Sequence, residues 1–267
     1  MKSGYVKINM AKSRDEDGFQ IVRRRRGQRS TKPPLSPVGL GHLEEGLPSR
    51  NIIIRIDTYR NSIRQSQFLQ QIQDGLDCSK FREFICYGIG RIGSCSISRQ
   101  QLALLLELCP KGTPCSLFDP MLSSEEREAV ERTGCSLLPH NELCKHPVHH
   151  STLFFMPHCG RAMYNNLLWS NWSPTSLPCV TIIGNRLSSY LERLPTKHLA
   201  KETPYIHRAL QYSTEVTLSN TYPDSTVFND LAIHTFPVEK LLTAQHTEWT
   251  DCTEPIIDSN DPEIIVT

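Results

Sequence analysis

The sequence has no run approaching the ~20 apolar residues that a membrane-spanning helix needs, which excludes a helical span. Its opening residues, MKSGYVKINMAKSRDEDG, lack the apolar stretch of a secretory signal. It has no excess charge of one sign, with 29 Lys and Arg against 28 Asp and Glu. That argues against a strong overall nucleic-acid surface. None of its ten cysteines stands in a C-x-x-C pair, and no G-x-S-x-G elbow occurs. Composition also excludes collagen, a coiled coil and a wholly disordered chain. What is there, 38% hydrophobic residues in 267, is enough for a core. The cysteines are expected to be reduced thiols of the cytosol or nucleus, several acting as small apolar side chains, as Cys86 in FICYG and Cys179 in LPCVTII.

The balance of charge hides an asymmetry. Residues 1–50 hold eleven basic and five acidic side chains, and residues 239–267 hold one basic and seven acidic. Neither end shows hydrophobic periodicity. The expected organisation is a disordered basic arm over 1–49, a folded domain over 50–238 and an acidic disordered tail over 239–267. Arg23-Arg24-Arg25-Arg26 reads as a nuclear-targeting patch or a solvated arm, without the aromatic residues that RNA stacking uses.

The middle alternates apolar strands with helical stretches. Residues 50–74 read as one amphipathic helix. Strands are expected at 84–87, 116–118, 135–138, 152–156, 179–183 and 232–236, with helices from 98, 123, 161 and 187. Continuous apolar strands separated by helices predict an α/β domain: a doubly wound, mostly parallel sheet in a Rossmann-like, three-layer arrangement. Ligands of such sheets bind beyond the carboxyl ends of the strands. That rule selects Gly88, Gly90, Gly93, Asp119, Asn141, Glu142, His158 and Asn185 as candidate binding residues.

Gly88-Ile89-Gly90-Arg91-Ile92-Gly93 is a G-x-G-x-x-G following a strand. In a dinucleotide site such glycines admit a pyrophosphate, and a carboxylate such as Asp119 at the next strand end holds ribose hydroxyls. The pattern is therefore a candidate cradle for a nucleotide-type cofactor, NAD or S-adenosylmethionine. Its plainer reading is a glycine-rich turn that holds no ligand. Asn165, Asn166, Trp169 and Trp172 are candidates to line the cleft, with core packing the plainer reading for the tryptophans. Cys144, His146, His149, His150, His158 and Cys159 are dense in metal-binding side chains, but their spacing matches no zinc signature, so no metal is assigned. Cys109-Pro110 reads as a helix stop rather than a haem ligand. His158-Cys159 is a candidate for an activated thiol at a strand end.

Several blocks carry a family resemblance. Cys86-Tyr87-Gly88-Ile89-Gly90, Gln101-Leu102-Ala103, Phe118-Asp119-Pro120 and Ser123-Ser124-Glu125 are followed by Asn141-Glu142 and by Thr152 to Cys159. Tyr164 to Trp169 with Asn171-Trp172, Ile182-Ile183-Gly184-Asn185, and Phe228-Asn229-Asp230 with Ile233-His234 and Phe236-Pro237 complete the set. Over about residues 50–238 the chain resembles the SRR-like family, named for the plant protein "sensitivity to red light reduced". The resemblance implies a regulatory protein of the cytoplasm and nucleus. It implies roles in circadian clock gene expression and in haem biosynthesis, through protein partners or a small-molecule ligand, without membrane or nucleic acid. The family has no established catalytic activity, so no catalytic residue carries over and whether the chain is an enzyme stays open. Two positions depart from the family pattern: Cys144, where a small residue such as Gly is expected, and Leu231-Ala232, where a Thr-Ser-like pair is usual.

Overall fold

The computed structural model describes residues 48–256; the basic arm and the last eleven residues of the acidic tail lie outside the described residues. The stretch expected as one helix is two, α1 (Ser49–Arg64) and α2 (Gln67–Gly75). The break falls at Ser66, whose Oγ accepts from Leu69 N and caps the second helix. Ile52, Ile56 and Ile63 of α1 are buried on one face. β1 (Glu83–Tyr87) follows, and α3 (Ser96–Leu108) packs beside α1. Glu107 of α3 ties the pair, accepting from the Nε atoms of Arg60 and Arg64 at 2.6 Å each.

β2 (Cys115–Phe118) leads into α4 (Ser124–Arg132). The α4 start is a capping box: Ser123 Oγ accepts from Glu126 N, and Glu126 Oε2 accepts from Ser123 N at 2.7 Å. β3 (Ser136–Leu137) is only two residues long. β4 (Thr152–Met156), α5 (Arg161–Ser170) and β5 (Val180–Asn185) then complete a parallel set. Three short helices follow: α6 (Ser188–Arg193), α7 (Thr196–Glu202) and α8 (Pro204–Tyr212). β6 (Thr214–Thr217) and β7 (Leu231–Thr235) form an antiparallel edge, and α9 (Val238–Leu241) and α10 (Thr247–Thr250) end the described chain.

The strands form one sheet in the order β3-β2-β1-β4-β5-β7-β6. β7 runs antiparallel to both β5 and β6, and the other pairings are parallel. The chain runs outward from β1 through β2 and β3, then restarts at β4 on the other side of β1. The order therefore reverses between β1 and β4, where a doubly wound sheet opens its ligand crevice. Both faces are covered, which is why the strands read as unbroken apolar runs. Phe84, Cys86, Leu153 and Phe155 face the core under α1–α4, while Ile85, Tyr87, Phe154 and Met156 face the core under α5 and α8.

Two features add to the sequence reading. β6 was not foreseen: its four residues are half-buried or exposed and offer little apolar signal. The acidic tail expected from residue 239 is structured through 256. Leu241 is buried, Trp249 packs at a tilt against Trp172 and Tyr212, and Tyr205 Oη donates to Thr253 O. Sparse aromatic and apolar side chains anchor this segment, although its composition is acidic.

Candidate functional site

The turn after β1 is shaped by glycine. Gly88 and Gly90 have φ of +67° and +77°, in the left-handed region that favours glycine. A Cβ on Gly90 would stand 2.8 Å from Ser98 Oγ, and one on Gly88 2.7 Å from Cys159 Sγ. Side chains of this same chain already fill the space beside the glycines.

Two carboxylates engage the amides of this turn. Asp119, at the end of β2, accepts from Gly90 N at 2.7 Å through Oδ2 and from Met121 N at 2.8 Å through Oδ1, and is 5% exposed. Glu126, also 5% exposed, accepts from Gly93 N at 2.6 Å through Oε1. Its Oε2 is the one in the capping box, so a single side chain sets both the helix start and the glycine turn. Arg99 closes the loop from α3. Its Nη1 donates to the carbonyls of Ile92 and Gly93 at 2.8 and 2.9 Å, and its buried Nε has no partner. An anion drawn to the turn would meet two carboxylates and one guanidinium, a mixed field rather than an open positive cradle.

The turn after β4 is held by neutral groups. Asn185, at the end of β5, accepts from His158 N at 2.8 Å and donates to Cys159 O at 2.9 Å. Tyr164 Oη donates to Met156 O and accepts from Asn185 N at 2.8 Å. His158 has φ +57° and its Nε2 lies 3.2 Å from Val227 O; the Cys159 thiol donates to Tyr87 O at 3.2 Å. Gly88, Gly90, Asp119, His158 and Asn185 therefore gather around the β1/β4 reversal.

Asn141 stands apart in role. Its Oδ1 accepts from Leu143 N at 3.0 Å and turns the chain into Leu143 and Cys144, whose φ values are +51° and +59°. That left-handed geometry accounts for the small residue expected at Cys144 from the resemblance. The next residue, Glu142, joins a group that the sequence did not signal. It accepts from Tyr87 Oη at 2.5 Å and pairs with His146 Nδ1 at 2.8 Å. Burial pushes the Glu142 carboxyl up, but the bonds from His146 and Tyr87 outweigh it and hold the group below its ordinary range. The bond to Glu142 in turn raises His146 against an opposing burial effect.

The residues proposed as cleft lining do other work. Asn165 Oδ1 accepts from Tyr205 N, and Asn166 Nδ2 donates to Leu143 O. The indole N–H groups of Trp169 and Trp172 donate to Cys252 O and Glu248 O, so both rings help hold the C-terminal segment. Among the described residues no three His, Cys, Asp or Glu side chains are grouped to hold a metal ion, and no helix is long and apolar enough to cross a membrane.

Comparison with known proteins places this geometry. The SRR1 domain matches residues 68–235. An SRR1-like protein of Mus musculus is 44% identical over 46% of this chain and 51% of its own length. One of Drosophila melanogaster is 30% identical over 74% of this chain and 70% of its own. The Arabidopsis thaliana protein SENSITIVITY TO RED LIGHT REDUCED 1 is 33% identical over 51% of each. The chain thus spans about half the length of the mouse and Arabidopsis relatives. Among solved structures, an SAH-bound methyltransferase of Podospora anserina aligns at 13% identity with a TM-score of 0.38, covering 73% of this chain and 91% of that one. A likeness that loose carries no argument about activity. With the domain match extending across the sheet from α2 to β7, the chain belongs to the SRR1 domain family.

Proposed function

We propose that the chain is a regulatory protein that works by binding a protein partner or a metabolite, with roles in circadian clock gene expression and in haem biosynthesis. The cytoplasm and nucleus are its proposed locations, with Arg23–Arg26 as the nuclear-targeting element. The proposed organisation is a basic arm, one SRR1 domain and an acidic tail. The name of the Arabidopsis relative, which speaks of reduced sensitivity to red light, supports a signalling role.

The observation that carries a binding role is how the crevice is built. The groups there suited to chemistry are engaged in holding backbone: His158 near Val227 O, the Cys159 thiol on Tyr87 O, Asp119 and Glu126 on the glycine turn. Depleting the protein in rhythmic cells should change the period or amplitude of a clock-gene reporter and alter haem content. Unchanged rhythm together with unchanged haem would sink the reading. Replacing Arg23–Arg26 by Ala should move a fluorescent fusion out of the nucleus.

A second reading rests on the topology. Gly88, Gly90, Gly93 and the buried Asp119 lie where the strand order reverses, which favours a nucleotide-type cofactor, NAD or S-adenosylmethionine. Thermal shift of the whole protein with NAD(P), S-adenosylmethionine, ATP, zinc and haemin separates the two readings. A ligand at about 100 times its Kd adds about 2.7 kcal/mol. Stabilisation by one nucleotide would make the domain a cofactor sensor or an enzyme. A flat panel would leave protein partners as the subject.

A further inference from the structure

Three cysteines meet at the amino ends of the strands, across the sheet from the crevice. Cys109 follows α3, Cys115 begins β2, and Cys135 precedes β3. The Cys135 thiol lies 3.4 Å from Cys115 Sγ, and both residues are buried, at 4% and 7% exposure. The parallel register pairs Ser116 with Ser136, so Cys115 and Cys135 stand one step earlier on adjacent strands. Neighbouring strands lie about 4.8 Å apart, within the Cα spacing of about 4.4–6.8 Å that a disulfide accepts. Cys109 is half-buried beside Cys115, and its thiol donates to Thr113 O at 3.6 Å and to Pro110 O at 3.8 Å. Chemistry therefore has one reachable thiol, one central thiol and one buried thiol in a row.

We propose that Cys109, Cys115 and Cys135 form a thiol-oxidation site for a hydroperoxide, in which Cys109 is oxidised first and the product is a Cys115–Cys135 disulfide. In the first step the Cys109 sulfur attacks the peroxide; the O–O bond breaks, an S–O bond forms, and the departing oxygen leaves as an alcohol or water with the thiol proton. In the second, Cys115 sulfur displaces the sulfenic oxygen as water, which forms a Cys109–Cys115 disulfide. In the third, Cys135 attacks Cys115, and its proton passes to the released Cys109 sulfur. In sum, two thiols give two protons and one electron pair to the peroxide, which is reduced to one water and one alcohol, or to two waters when it is hydrogen peroxide.

Accessibility favours Cys109 as the entry point, since it is half-buried where Cys115 and Cys135 are buried. The interaction with Cys115 holds both Cys109 and Cys135 below the ordinary thiol range, while those interactions, together with burial, push Cys115 up. Burial of the product pair shields it from bulk reductant and lengthens its life. Cys252, the exposed cysteine, serves as the internal comparison.

The test treats the reduced full chain with hydrogen peroxide, quenches it with N-ethylmaleimide and maps tryptic peptides without reduction. Cleavage after Lys111 and Arg132 separates the three thiols. The expected result is a Cys115–Cys135 link appearing before oxidation of Cys252. Cys109→Ala should slow that link roughly tenfold. Cys135→Ala should stop the reaction at Cys109–Cys115, which keeps the site testable if either variant folds poorly by circular dichroism. Alkylation of all three as free thiols while Cys252 is oxidised would overturn the proposal. So would a dominant Cys78–Cys109 link, a dimer bridged through Cys252, or an unchanged rate in Cys109→Ala.

Discussion

Two turns flank the same crevice, and they are held by opposite chemistry. The turn after β1 is fixed by charge: Asp119 on Gly90 N, Glu126 on Gly93 N, and Arg99 on the carbonyls of Ile92 and Gly93. The turn after β4 is fixed by the neutral side chains of Asn185 and Tyr164. Charged hydrogen bonds are about twice as strong as neutral ones and costlier to break when buried. The β1 side is therefore the rigid, charged wall of the crevice, and the β4 side is the softer one. A ligand or partner that remodels the crevice is expected to move Pro157–Gly160 before it moves Gly88–Gly93.

The largest test of that contrast is Gly90→Val. A branched side chain at φ +77° would collide with Ser98 Oγ, where even a Cβ sits 2.8 Å away. The expected loss is about 4 kcal/mol in urea unfolding; a loss below about 1 kcal/mol would show that the turn yields. Asp119→Ala comes next. It removes two charge-assisted bonds to the partly buried amides of Gly90 and Met121, for about 3 kcal/mol. Because Asp119 holds the loop, a loss of ligand binding in this variant would report loop collapse as readily as a lost contact. Asn185→Ala removes the bonds to His158 N and Cys159 O and should cost about 2 kcal/mol. Hydrogen exchange should then rise at 157–160 and stay unchanged at 88–93. If exchange rises equally in both turns, the walls are not independent.

The smallest effect is in pH. His146 is raised above its ordinary 6.5, so its bond to Glu142 contributes fully below that value and is lost as pH rises through the raised one. Glu142 is lowered from 4.5, so its contribution is present above 4.5 and is lost as pH falls through the lowered value. The Tyr87–Glu142–His146 link should be strongest between those limits. Melting temperature measured over about pH 5 to 9 should decline through the His146 titration in the native chain. The His146→Gln variant should flatten that decline, and Asn185→Ala should keep it. A native slope in His146→Gln would remove the titration from the β1 side.

Much of the fold is legible locally. β1, β2, β4 and β5 are dense apolar runs, and α4 announces itself by Ser123 and Glu126 three residues apart. The parts that escaped lack a local signal. β6 gains its place by pairing with β7, and the break between α1 and α2 rests on Ser66 in a continuous polar-apolar pattern. The candidate site was legible as a set of strand ends and illegible as a set of partners. Glu126 looks like a capping residue from the sequence and proves also to hold Gly93, 33 positions away.

The sequence by itself determined the alternation of strands and helices, the glycine turn and the family, because periodicity, caps and motifs act over a few residues. Only the tertiary structure decided where the carboxylates go, which cysteines meet and how residues 239–256 dock. Those choices join groups far apart in the chain, 29 positions between Gly90 and Asp119 and 76 between Trp172 and Glu248. Buried polar groups must find partners wherever the packed fold places them, and no local pattern records that pairing.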